Sequence, residues 1–153
     1  MNALVMELLP YVRQGYCCSQ LLLVLAMQMR GEENPGLLRA MRGPCHGIGQ
    51  SGGPCGLLAG GAAALAWLSG VDGGDEHPML EAMTNEYGTW FLERTQAWGY
   101  GCEAVAQGLA AEAGASPAND SKPDMSLCAG LLAECWEKIM EIHDAYQLDT
   151  VGA

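Results

Sequence analysis

The sequence predicts an all-α fold, a single compact bundle of about six or seven helices that forms one domain over residues 1–153. Apolar residues recur at helical spacing along nearly the whole chain. No segment alternates apolar and polar residues for more than a few positions, so half-buried strands are not expected. A length of 153 residues with 50% hydrophobic content suits one domain with its own core.

Three helices are predicted in the N-terminal part of the chain. An apolar stripe over 4–12 predicts the first helix, which is interrupted at Gly15 and Tyr16 or is instead bent at Pro10. A second stripe over 18–29 predicts the next helix. The segment 34–42 opens with asparagine and proline, a cap followed by a residue suited to the first helical position, and predicts a short helix. Residues 43–54 are predicted to form a glycine-rich loop.

Four further helices are predicted in the remaining part of the chain. Residues 55–70 form a helix of small side chains, which permit close approach of a neighbouring helix. A longer helix over 77–97 and a shorter one over 102–113 follow, each separated from the last by glycines. The segment 114–124 is predicted as a surface loop, and 125–147 as the last and most regular helix.

Two of these helices have clearly two-sided surfaces. The predicted core face of the 77–97 helix consists of Leu80, Met83, Tyr87, Trp90 and Phe91. On the outer face of the last helix, Glu134 and Lys138 are one turn apart and are expected to pair. Small residues on helix faces are also compatible with a homodimer, and the sequence does not decide the oligomeric state.

The charge of the chain excludes several classes of partner. Seven Lys and Arg residues stand against 18 Asp and Glu, a formal net charge of −11, which argues against nucleic acid and against anionic membrane surfaces. The uncharged stretch 43–71 is interrupted by glycine and proline, so no membrane span is predicted. The N-terminus lacks the basic region of a signal peptide, and we therefore expect a cytoplasmic protein.

Seven cysteines give the chain its clearest chemical signal. An odd number in a reducing compartment indicates thiol chemistry, metal ligation or buried thiols rather than a disulfide scaffold. Cys18, Cys55 and Cys102 each follow a glycine-containing turn at a predicted helix start, where the helix dipole favours a thiolate and lowers its pKa. Cys128 stands near the start of the last helix. We expect these four thiols to point inward and to form one site.

The other cysteines are given lesser roles. Cys17 flanks the predicted site, and Cys135 lies two turns after Cys128 and is expected to be an inert core thiol. Cys45 and His46 lie in the glycine-rich loop, either as a resolving thiol and an auxiliary ligand or as ordinary loop residues.

Common cofactor motifs are missing or lack their context. The glycines over 47–52 match the pattern G-x-G-x-x-G, but the flanking segments are predicted helices, whereas a dinucleotide site requires strands. The chain has no C-x-x-C and no C-x-x-C-H, so covalent c-type haem is not expected. Ligands of an iron–sulfur cluster or of zinc would have to converge from across the fold.

The cysteine pattern resembles the family of small redox-active proteins named for a C-GCAxxG-C-C signature. The matching residues are Gly15-Tyr16-Cys17-Cys18-Ser19-Gln20, Cys55-Gly56-Leu57-Leu58-Ala59-Gly60, Cys102 and Cys128, with Leu57 in place of the usual alanine. The resemblance implies an all-helical fold and a redox role. It also implies partners in anaerobic metabolism, transport or metalloenzyme systems.

The sequence therefore predicts a redox-active cysteine protein. Cys18, Cys55, Cys102 and Cys128 form either a thiol/disulfide centre or a metal site, iron–sulfur or zinc, for electron or thiol transfer. Whether the chain is itself an oxidoreductase or an electron-transfer accessory stays open. The alternative is a non-catalytic metal-binding or accessory module that docks on a larger metalloenzyme or transporter, and a purely structural helical protein is a third reading.

Overall fold

The computed structural model describes residues 2–71, 78–96, 98–114 and 125–146, and within these ranges it contains helices and no strand. The predicted all-α class is confirmed. Seven right-handed helices lie in the described ranges: α1 (Ala3–Arg13), α2 (Cys18–Arg30), α3 (Pro35–Ala40), α4 (Gly56–Ser69), α5 (Pro78–Arg94), α6 (Cys102–Glu112) and α7 (Met125–Ala145).

The helix ends follow the local signals of the sequence. Asn34 accepts a hydrogen bond from the Leu37 N–H and caps α3, as the asparagine and proline at its start predict. Pro10 lies inside α1, which continues past it to Arg13. Most of the predicted surface loop (115–124) and the ends of two predicted helices at 77, 97 and 147 lie outside the described residues.

Residues Cys45–Gln50 are a short left-handed turn within the predicted glycine-rich loop. His46 through Gly49 have φ between 57° and 69°, and Gln50 has φ 67°. The left-handed conformation is less stable by roughly 1–2 kcal/mol for each non-glycine residue, because the Cβ approaches the following carbonyl oxygen. Three such residues, His46, Ile48 and Gln50, are held there by the surrounding structure. The sequence predicted a loop here but not its handedness.

Helices α2 and α4 make the most extensive contact in the fold and form its centre. Helix α2 is buried continuously from Ser19 to Met27. Its partner approaches closely at Gly60, where a Cβ would lie 2.5 Å from the Ser19 Cα. Around this contact the largest fully buried side chains are Leu21, Leu22, Leu23, Leu57, Leu65, Leu68, Met83, Tyr87, Phe91, Leu131, Ile139 and Ile142.

Helix α5 largely presents the predicted face to the core. Met83, Tyr87 and Phe91 are fully buried, whereas Leu80 and Trp90 are partly buried and pack at the margin of the core. The Tyr87 hydroxyl donates a 2.6 Å hydrogen bond to the Leu57 carbonyl of α4. Within the described ranges, every helix is too short or too polar to serve as a membrane span.

The predicted pairing of Glu134 with Lys138 is wrong. Arg94 of α5 lies across from α7 and donates two hydrogen bonds to the Glu134 carboxylate, from Nε at 3.1 Å and from a terminal nitrogen at 3.2 Å. A bidentate guanidinium contact is stronger than a single ammonium contact, which explains why the contact between helices takes the place of the one along the helix. Lys138 pairs instead with Glu86 and Glu141.

Candidate functional site

Two backbone hydrogen bonds bring the starts of α4 and α6 side by side. The Cys55 N–H donates to the Tyr100 carbonyl at 2.7 Å, and the Cys102 N–H donates to the Gly53 carbonyl at 3.2 Å. Between them, Pro54 and Gly101 form an isolated antiparallel bridge. The bridge therefore places two of the predicted site cysteines at neighbouring helix starts.

The left-handed turn supports this bridge from one side. The Gly53 N–H donates to the Gly47 carbonyl at 3.0 Å. A Cβ on Gly47 would lie 2.7 Å from the Gly53 oxygen and 2.9 Å from the Cys102 Cβ, which is closer than packed atoms allow. Glycine is therefore required at position 47 for two reasons, its positive φ and the space that Cys102 occupies.

The glycines of the Cys55–Gly60 segment bring α4 against the start of α2. A Cβ on Gly56 would lie 3.5 Å from the Cys18 Cβ and 3.4 Å from the Ser19 nitrogen. Gly60, one turn later, contacts the Ser19 backbone directly. The spacing of these two glycines thus lets the backbones of α2 and α4 approach and places Cys18 near Cys55.

A small cavity of about 10 Å³ lies where these helix starts meet α7. Its walls include all four predicted site cysteines and the auxiliary histidine, and they consist of Cys17, Cys18, His46, Cys55, Gly56, Cys102, Val105 and Cys128. We call the sulfur-bearing part of this cavity, formed by Cys18, Cys55, Cys102 and Cys128, the thiol pocket. Cys135 is not in its walls and is fully buried in the core.

The thiols of the pocket influence one another. A hydrogen bond with Cys128, burial and the neighbouring thiols together raise the pKa of Cys18 well above its usual value. Burial raises the pKa of Cys55 to about 12, although the Leu57 N–H at the start of α4 acts in the opposite direction. Burial is also the main cause of the raised pKa of Cys102.

The predicted depression of these pKa values is therefore wrong. The helix-start position does lower the pKa of Cys55 through a backbone N–H, as the sequence argument required. Burial raises the pKa of Cys55 by more than the backbone N–H lowers it. Repulsion between the thiolate of Cys55 and those of neighbouring cysteines raises the pKa further. Cys18, Cys55 and Cys102 are consequently protonated at neutral pH.

Cys17 and Cys45 form a disulfide, with their Cα atoms 6.1 Å apart. The sequence argument pointed away from a disulfide scaffold, placed Cys17 beside the site and considered Cys45 as a resolving thiol without giving it a partner. Cys45 lies beside the start of α2, where its sulfur is 3.4 Å from the Ser19 hydroxyl. Cys17 contributes to this disulfide and also to the wall of the thiol pocket.

Two buried polar residues that the sequence argument overlooked hold this region together. The Ser19 hydroxyl donates to the Met41 carbonyl at 2.6 Å and lies 3.4 Å from the sulfurs of both Cys17 and Cys45. Gln20 accepts from the Cys17 N–H at 3.1 Å. Buried polar side chains at a helix start were the signal available in the sequence, since such groups need partners.

The cysteines predicted as metal ligands do not form a metal-binding group in the described residues. No group of three or more His, Cys, Asp or Glu in the described part of the chain is arranged to hold a metal ion. Cys18 and Cys128 instead form a hydrogen bond with each other.

The described residues form a small all-α protein in which the starts of four helices meet around a pocket of thiols. The chain belongs to the family described as "Putative redox-active protein (C_GCAxxG_C_C)", whose model matches residues 16–142. The resemblance seen in the cysteine pattern is thereby confirmed. No curated protein matches the chain significantly, and no solved structure does.

Proposed function

We propose that the thiol pocket is a two-electron thiol/disulfide centre that reduces a disulfide of a partner molecule. The proposal rests on one cavity that is lined by all four predicted site cysteines, Cys18, Cys55, Cys102 and Cys128. Within it, Cys18 and Cys128 are hydrogen-bonded to each other. Thiols in contact can close a disulfide with little movement of the helices that carry them. Cys18 and Cys128 are therefore the first pair to oxidise.

The exchange proceeds through a mixed disulfide. One pocket thiol loses its proton and attacks a sulfur of the partner disulfide, and the other partner sulfur leaves as a thiolate and takes up a proton. The second pocket thiol then attacks the pocket sulfur of the mixed disulfide and releases the second partner thiol. Two pocket thiols are oxidised to a disulfide while the partner disulfide gains two electrons and two protons.

The raised pKa values favour electron donation. A dithiol whose thiolate is strongly stabilised is held in its reduced form and is a good oxidant once oxidised. The pocket does the opposite, because burial disfavours the thiolates of Cys18, Cys55 and Cys102. We expect a reduction potential nearer about −270 mV, typical of reducing dithiol proteins, than about −120 mV, typical of strong oxidants.

Metal analysis combined with thiol counting tests this proposal. A Cys17→Ser, Cys45→Ser variant removes the existing disulfide, so that every thiol lost on oxidation belongs to the remaining cysteines. The protein is purified without oxygen, assayed for iron and zinc, and titrated with diamide, which oxidises two thiols to a disulfide per equivalent. Free thiols are trapped with N-ethylmaleimide and counted by mass.

The expected result is protein without stoichiometric metal that loses two thiols in one step. Cys128→Ser in the same background abolishes the step, whereas Cys135→Ser, the core thiol outside the pocket, leaves it unchanged. Stoichiometric iron or zinc that disappears in Cys55→Ser contradicts the proposal and supports ligation, including a metal-binding module that docks on a larger enzyme. Thiols that stay unreactive until the chain unfolds also contradict it.

A further inference from the structure

We propose that the Cys17–Cys45 disulfide is an internal exchange partner of the thiol pocket, so that one disulfide moves between two cysteine pairs of the same chain. This inference rests on the proposed function, because it requires the pocket thiols to be redox-active. It assigns chemistry to two cysteines that lie outside the four-cysteine set. The chain then holds an electron relay rather than a single centre.

The position of Cys17 carries the inference. Its sulfur is bonded to Cys45, and the residue also lines the cavity that Cys18, Cys55, Cys102 and Cys128 line. Cys17 is therefore shared between the disulfide and the wall of the pocket. No helix has to unpack for a pocket sulfur to approach a sulfur of the disulfide.

Cys128 is the pocket thiol suited to attack Cys17. Cys18 is joined to Cys17 by a peptide bond, and a disulfide between adjacent residues closes a small, strained ring. Cys128 comes from a different helix, lines the same cavity, and is hydrogen-bonded to Cys18. Cys128 can therefore attack Cys17, and Cys18 is in place to resolve the product.

The exchange is balanced within the chain. The Cys128 sulfur, after losing its proton, bonds to the Cys17 sulfur while the bond from Cys17 to Cys45 breaks. Cys45 leaves with the electron pair and takes up the proton. Cys18 then attacks the Cys128 sulfur, a Cys18–Cys128 disulfide forms, and Cys17 leaves as a thiol. Two pocket thiols are oxidised and one disulfide is reduced, with no external oxidant.

The surroundings of the outer pair suit it to open and close. The buried Ser19 hydroxyl lies 3.4 Å from both sulfurs, within reach of the thiolate that forms on either one. In the disulfide state this hydroxyl donates its single proton to the Met41 carbonyl, and it has to turn that proton toward a sulfur when the bond breaks. A polar donor placed between two sulfurs lowers the energy of a buried thiolate intermediate.

Trapping of the mixed disulfide tests the relay. Cys18→Ser removes the resolving thiol, so the intermediate between Cys17 and Cys128 should accumulate. Reduced wild-type protein and reduced variants are each oxidised with one equivalent of diamide, quenched with acid and N-ethylmaleimide, and mapped by tandem mass spectrometry. Cys135→Ser serves as the matched control, and the melting temperature of each variant is recorded.

We expect wild type and Cys135→Ser to contain both Cys17–Cys45 and Cys18–Cys128 disulfides, in different molecules. Cys18→Ser should contain a Cys17–Cys128 linkage with Cys45 as a free thiol, in at least about a tenth of the chains. The relay is overturned if only the Cys17–Cys45 linkage occurs in wild type and in Cys18→Ser alike. If Cys18→Ser contains no Cys17–Cys128 linkage while the Cys17→Ser, Cys45→Ser variant still loses two pocket thiols, the relay is rejected and the proposed function stands.

Discussion

The disulfide and the thiol pocket are linked by the peptide bond between Cys17 and Cys18. They differ in how many helices must pack together to form them. The Cys17–Cys45 disulfide joins the start of α2 to a left-handed turn, with Ser19 close by. The thiol pocket requires α2, α4, α6 and α7 to meet at their N-terminal ends. The outer pair is therefore a local feature, whereas the pocket reports on the packing of the whole fold.

The largest expected effect is that of Gly60→Ala, which should disrupt the packing of α2 against α4 next to the thiol pocket. The new Cβ would lie 2.5 Å from the Ser19 Cα, a backbone atom that cannot rotate away. We expect a loss of about 3 kcal/mol in the free energy of unfolding, measured by urea denaturation. Gly130→Ala in α7 is the control, because its Cβ meets nothing within 4 Å.

For Gly130→Ala we expect a gain of up to about 1 kcal/mol, since alanine is the better helix former. A Gly60→Ala protein as stable as wild type would show that α2 and α4 are not in close contact. The same variant should expose the pocket thiols, so N-ethylmaleimide should modify them faster than in wild type.

A smaller effect is expected from the pH dependence of stability under reducing conditions. Burial raises the pKa of Cys55 to about 12 in the folded protein, against about 8.5 in an unfolded chain. Between these values the unfolded chain ionises Cys55 while the folded chain keeps it protonated. The contribution of Cys55 to stability is therefore full below about pH 8.5 and falls by about 1.4 kcal/mol per pH unit above it.

Cys55→Ala should remove that part of the slope, measured by urea denaturation between pH 9 and pH 10. Val105→Ala is the matched control, because Val105 is buried in the wall of the same pocket but does not titrate. It should lower stability equally at both pH values. An unchanged slope in Cys55→Ala would mean that the Cys55 thiol is hydrated in the folded protein.

The smallest effect is expected for a substitution in the left-handed turn that begins at Cys45. Ile48 has φ 59°, a region that a β-branched side chain rarely adopts, and its side chain is exposed. Ile48→Gly removes this strain but adds freedom to the unfolded chain, and a net gain of about 0.5–1 kcal/mol is expected. The urea midpoint measures it.

Val12→Gly is the control for Ile48→Gly, because Val12 is also exposed but lies in the right-handed helix α1. That substitution should destabilise the protein by up to about 1 kcal/mol. A loss of more than about 1 kcal/mol in Ile48→Gly would show that the Ile48 side chain packs in the fold rather than straining it.

Much of the fold could be predicted because helix signals are local. The apolar stripe of α2 and the Asn34 cap of α3 each act within a few residues of the chain, and both helices formed close to their predicted ends. The Arg94 contact with Glu134 was missed because it joins two helices that are distant in sequence. Periodicity describes a helix face but does not say which charge another helix brings to it.

The candidate site shows the same limit. The motif spacing located Cys18 and Cys55 at helix starts, but their pKa values depend on burial by the assembled fold, which reverses the effect of the helix dipole. The bridge between Pro54 and Gly101 could not be predicted either, because it pairs two turns that are distant in sequence. The disulfide was missed because Cys17 and Cys45 are separated by 28 positions in the sequence and meet only in the folded chain.

The measurement that most directly tests the central claim, that four thiols form one redox centre, is disulfide mapping in the Cys17→Ser, Cys45→Ser variant after oxidation with one equivalent of diamide. The structure predicts a single linkage between Cys18 and Cys128, with Cys135 recovered as a free thiol. A mixture of linkages that includes Cys135, or five free thiols in the folded protein, would contradict a common centre.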